Sequence, residues 1–163
     1  METEIISQYK ASIQMLMDTI DKCPNDLWGD DNHYQNAYWQ IVYHTLHYTA
    51  LYLSGSHDEV IPWPRHIDGQ HNLGKKLPKN NPEDVGAIYS KDDLTNYAEL
   101  IIQSLDNLLT NFNPSEKSRF FWLAMNRFEL HLYNIRHVQH HTGQLIERLH
   151  QAGIRGIKWV GKG

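Results

Sequence analysis

The chain contains a single cysteine, Cys23, among 163 residues. One thiol cannot close an intramolecular disulfide, so the fold does not depend on an oxidising compartment. Nothing near Cys23 and Pro24 marks that thiol as reactive. Long apolar runs are also missing. The longest aromatic-aliphatic stretch, residues 37–53, carries Gln40, His44 and His47 and is too short and too polar for a membrane span. The opening Met-Glu-Thr-Glu-Ile-Ile has neither the basic region nor the apolar core of a signal peptide. A soluble cytoplasmic protein with no membrane partner is expected. A basic excess is absent: 15 Lys plus Arg against 19 Asp plus Glu give a net charge of −4. That balance argues against nucleic acid as a partner, because such affinity comes largely from neutralised phosphates. No segment sustains the two-residue alternation of a half-buried strand. With 40% hydrophobic and 21% charged residues, the chain has the composition of one globular domain spanning residues 1–163.

Four segments have helical periodicity. In the first, Ile6, Tyr9, Ile13, Leu16 and Ile20 step by three and four, and Cys23-Pro24-Asn25 ends it. The second runs from about Ala37 to Leu53 and stops at Ser54-Gly55, with Gly55 as a left-handed cap. Ser90-Lys-Asp-Asp93 starts the third in the manner of a capping box, and Asn113-Pro114 closes it. The fourth extends from about Asn126 to Ala152, with Glu129 completing a box at its start and Gly153 at its end. Ser118 to Ala124 is expected to add a short helix before it. Between the second and third segments, residues 55–89 include Pro62, Pro64, Pro78 and Pro82. A connection that long is either functional or a poorly ordered connector. The predicted fold is all-α, a four-helix bundle with one long connection between the second and third long helices.

Histidine is abundant: eleven, beside five Trp and nine Tyr. The densest group is His137-Val-Gln-His140-His141-Thr-Gly-Gln144. At about 100° per residue, His137 and His141 lie only about 40° apart on one helix face. Two imidazoles one turn apart can share a first-row metal, but no Glu accompanies them as a protease base would. With His141 as origin, the apolar seam of Ile135, Val138, Leu145 and Leu149 spans roughly 40° to 120°. His137 borders that seam, whereas His140 falls near −100° and faces solvent or supports a ligand from outside. His131 sits on the seam, as a packed and hydrogen-bonded core histidine. On the second helix His44 is flanked by Ala37, Ile41, Tyr48 and Leu51, which makes it the better inward ligand. His47, on the polar strip with Gln40 and Tyr43, is the reserve. His33, His57, His66, His71 and His150 have no assigned role beyond solvent or loop, although Trp63, His66 and His71 are placed to cover or line a pocket.

Trp39-Gln-Ile-Val-Tyr-His44, followed downstream by the His137-x-x-His140-His141-x-Gly-Gln144 block, resembles the DinB/YfiT-like superfamily over the whole chain in helix order. The histidine block is the most specific part of the resemblance. It implies a metal-binding four-helix bundle whose divalent ion is held by His44, His137 and His141. It also implies Gly143 as a point of close helix packing and Gln144 as a hydrogen-bond partner for a neighbouring helix. Zinc or nickel is the first choice of ion, and iron or copper also suits imidazole. Di-iron carboxylate chemistry is excluded because the paired Glu-x-x-His motifs are missing.

The superfamily includes thiol-dependent transferases and isomerases, members without known activity, and a namesake group linked to DNA damage. The lead reading is therefore a metal-dependent enzyme using a small-molecule substrate, by thiol transfer with a low-molecular-weight thiol or by hydrolysis. No catalytic acid or base is assigned. The competing reading is a non-enzymatic metal-binding or stress-response bundle acting through a partner or as a homodimer. Phe120, Phe121 and Trp122 offer either a dimer patch or core packing. A third reading is a histidine-rich bundle with no specific metal.

Overall fold

The computed structural model describes residues 1–56, 60, 63–74 and 89–163. Helices are α1 (Glu2–Lys22), α2 (Asn25–Trp28), α3 (Tyr38–Ser54), α4 (Lys91–Leu109) and α5 (Arg127–Gln151). There is no strand among the described residues, only an antiparallel bridge between Lys117 and Asn126. The fold is all-α. No helix among the described residues is long and apolar enough to cross a membrane.

The helices form where apolar periodicity meets end signals. On α1, Tyr9, Ile13, Leu16 and Ile20 are buried. Pro24 cannot continue that helix, and its carbonyl accepts from the N–H groups of Leu27 and Trp28, which starts α2. This single turn was not anticipated, because four residues carry too little periodicity to register. Ser90 and Asp93 form a capping box on α4, as Asn126 and Glu129 do on α5. Gly55 ends α3 at φ +80°, a conformation in which a Cβ would also stand 3.3 Å from the Arg127 guanidinium.

Two expected boundaries need correction. The third long helix stops at Leu109 rather than at Asn113-Pro114. Asn111 turns into the left-handed region at φ 60°, and Phe112 folds back to meet His131 edge-on at 4.9 Å. Residues 118–124 are not helical. Their polar groups are used across a loop: Ser118 N–H donates to Met125 O, Ser118 Oγ–H to Leu123 O, and Arg127 N–H to Glu116 O. That loop splits the aromatic triplet, with Phe120 buried beside Tyr52 and Leu130 while Phe121 is 92% exposed.

α1 packs on α4 and α5, and α3 packs on the same two helices, so each long helix has two main long neighbours. Of the connection after α3, residues 63–74 lie against it. Trp63 stacks on Tyr97 with ring centroids 4.5 Å apart, and fully burying such a ring contributes on the order of 2–3 kcal/mol. Tyr89 Oη–H donates to Arg65 O (2.8 Å) and accepts Ile67 N–H (3.1 Å). Gln40 Nε2–H donates to Asn72 O, and Gly74 N–H donates to Asn36 Oδ1. Pro62, Pro78, Pro82 and His57 lie outside the described residues. Cys23 is buried, and burial pushes its thiol up to about 12, which makes it a poor nucleophile at neutral pH.

Candidate metal centre

The packing of α3 against α5 sets the site. His44 is in the middle of α3, and His137 and His141 are one turn apart on α5. The structure brings these three together: one ring nitrogen from each lies within 4.8 Å of the others. His44 Nε2 is 3.1 Å from His137 Nε2. The rings are steeply inclined, at 55° for His44 and His137, 81° for His44 and His141, and 82° for His137 and His141. Imidazole lone pairs lie in the ring plane, so steep inclinations allow three of them to meet at a point where parallel rings would not.

The protons are placed by neighbouring oxygens. His44 Nδ1–H donates to the backbone carbonyl of His71 at 2.7 Å, which leaves its lone pair on Nε2. His141 Nδ1–H donates to Gln144 Oε1 at 2.8 Å, with the same result. A ring N–H held by a carbonyl oxygen is the usual outer support of a metal-ligating histidine, fixing both tautomer and orientation. His137 Nδ1 is buried and has no hydrogen-bond partner among the described residues. Burial holds His44 down to about 4, with the neighbouring His141 adding to the effect. His137 is lowered to about 3 by burial and then by His141 and His44, and burial likewise lowers His141. All three are therefore neutral near pH 7, the form that ligates.

These residues fit a divalent ion. With metal–nitrogen bonds of about 2.0–2.1 Å, the nitrogens of a tetrahedral site stand about 3.3 Å apart, close to the 3.1 Å separating the Nε2 atoms of His44 and His137. Three protein ligands leave at least one position for an exogenous group. Both histidine groups among the described residues that could hold an ion consist of histidine alone. The adjoining wall is aromatic. Tyr48 lies 4.8 Å from the His44 ring and 6.0 Å from that of His137, and Tyr52 lies 6.4 Å from His137. Burial raises both phenols, Tyr52 to about 12, so they remain protonated.

The other singled-out residues go elsewhere. His140 is exposed, with Nε2 3.4 Å from Gln144 Nε2. His131 is 0% exposed and pairs through Nδ1 with Tyr9 Oη at 3.1 Å, as its position on the apolar seam suggested. Two expectations about the histidine block are corrected. Gly143 is exposed, and a Cβ there would meet nothing within 4 Å, so it serves no close helix packing. Gln144 reaches back to His141 on its own helix instead of across to another, because three residues along a helix place the two side chains as neighbours.

His47 is not part of the α3–α5 group; it joins His66 and His71 in the second. Of the connection residues, Trp63 is buried among Tyr43, Tyr89 and Tyr97. His71 reaches the α3–α5 centre through its carbonyl rather than its ring. Sequence reasoning missed that contact, since a backbone acceptor has no residue type to signal it. No family model matches the chain, and no curated protein or solved structure matches it either.

Proposed function

We propose that this chain is a DinB/YfiT-like four-helix bundle and a metal-dependent enzyme whose divalent ion is held by His44, His137 and His141. What carries the reading is the pairing of convergence with orientation: three neutral imidazoles from two helices face one another, and two have their Nδ1–H groups fixed by oxygens. The long helix-to-helix connection and the helix order support the family assignment. Zinc or nickel is the preferred ion, with iron and copper as further imidazole-compatible choices.

The chemistry such an ion supplies is Lewis-acid activation of a thiol or a water near neutral pH, because three neutral ligands leave its charge uncompensated. The protein's own contributions are positional. His71 O and Gln144 Oε1 hold two ligand rings in register. Tyr48 and Tyr52 present apolar faces suited to the carbon part of an electrophile. The donor group consists of histidines among the described residues, and a thiol ionises more easily than water and so needs less help from a base, which favours a low-molecular-weight thiol as the nucleophile.

The test is metal content after purification without a histidine tag. His44→Ala, His137→Ala and His141→Ala are each expected to lose the tightly held ion, and His140→Ala to retain it. No ion in the unmutated protein would refute the centre. Turnover of electrophile–thiol pairs, abolished by chelator and restored by the ion, supports thiol transfer. A tightly held ion with no turnover across such pairs supports the binding-module reading.

A further inference from the structure

A second trio of histidines, His47, His66 and His71, brings one ring nitrogen from each within 4.8 Å of the others. Its members come from two elements. His47 is on α3, one turn beyond His44. His66 and His71 come from the connection, whose backbone is pinned by Tyr89 and Gln40. Tyr43 Oη contacts His66 Nδ1 at 2.6 Å, which leaves Nε2 as the nitrogen available for ligation. His71 Nδ1 is buried without a hydrogen-bond partner among the described residues, a desolvated polar atom that a cation would satisfy. The rings stack rather than cross: His47 and His71 are 4.1 Å apart at 14°, and His47 and His66 are 5.3 Å apart at 19°. Parallel rings hold their lone pairs side by side, so ligation requires them to splay. Rotation about the broad terminal torsion of histidine accomplishes this without moving the backbone.

We infer that His47, His66 and His71 form a second site for a divalent transition-metal ion, more open than the α3–α5 centre and filled after it. It is weaker because His66 is exposed and because the stack must open before three nitrogens can converge. The inference goes beyond the proposed function and shares no ligand with it.

Cobalt(II) binding to the tag-free, chelator-stripped full chain tests it, with equilibrium dialysis counting ions and visible absorption reporting geometry. Two ions per chain are expected in the unmutated protein and one in His66→Ala, with helix content by circular dichroism unchanged. In the unmutated chain, the second equivalent of zinc(II) should shift the ring resonances of His66 and His71, a readout that needs no variant. Saturation at one ion lost in His137→Ala, or two ions retained in His47→Ala/His66→Ala, overturns the inference. Saturation at one ion that survives His44→Ala/His137→Ala and disappears in His66→Ala keeps a metal site at this trio, overturns the order of filling and removes the α3–α5 reading.

Discussion

At His141 the orienting group is one amide oxygen, Gln144 Oε1, 2.8 Å from Nδ1. Replacing it with an apolar side chain of similar size leaves the proposed ligand in place but frees its tautomer and ring angle. Gln144→Leu is expected to weaken metal binding about 10–100-fold. Because residue 144 is exposed, the metal-free stability should change by no more than about 0.5 kcal/mol. Competition against a chromophoric chelator measures the first quantity and urea unfolding the second; undiminished affinity would show that Gln144 does not orient the ligand. His131 governs a different property. Burial, aided by Arg127, holds it down to about 4 against an ordinary 6.5. Below pH 6.5 the unfolded chain takes up a proton that the folded chain refuses, so stability is lost as pH falls from 6.5 towards 4. The loss assigned to this residue is on the order of 3 kcal/mol. His131→Gln should narrow the stability gap between pH 7 and pH 4.5 by roughly 2–3 kcal/mol, and a gap as wide as in the unmutated protein would place the acid sensitivity elsewhere.

Helix α5 carries two of the proposed ligands, and its start is secured by the reciprocal pair Asn126 and Glu129. Asn126 Oδ1 accepts Glu129 N–H at 2.9 Å, and Glu129 Oε2 accepts Asn126 N–H at 3.3 Å. Removing the first bond with Asn126→Ala should cost about 1 kcal/mol of stability. His137 lies about three turns further along, so metal affinity should be unchanged. A simultaneous loss of affinity, read by dialysis, would mean that the cap also sets the register of the ligand pair. α4 begins with the same kind of box, Ser90 with Asp93, whereas α1, α2 and α3 start without a side-chain cap. α4 ends at Leu109, before the proline that marked its expected end; Asn111 then adopts φ 60° and Phe112 packs edge-on against His131. The proline is therefore not what stops the helix, since the chain has left helical backbone before reaching it.

Across the whole molecule, what could be read in advance followed from periodicity. A fixed turn per residue assigns a face to every helical side chain, which is why His44, His137 and His141 could be singled out from eleven histidines and His131 assigned to the core. Loops offer no such step. Hence residues 118–124 have a helix-like sequence without forming a helix, and nothing in the pattern around His66 and His71 signals that they meet His47. Even on α5 the angle located Gln144 without revealing its partner, since the choice between its own helix and a neighbour depends on side-chain reach. The contact of His44 with His71 bears on how the centre tolerates mutational drift. Its acceptor is a main-chain oxygen, present whatever amino acid occupies position 71. His71→Ala would therefore delete a ring from the second trio and leave the support of His44 intact. The orientation of His141, by contrast, rests on the identity of one side chain. One proposed ligand is thus secured by the path of the chain, and lineages that lose the histidine at 71 can keep it. The other is exposed to any codon change that removes the amide.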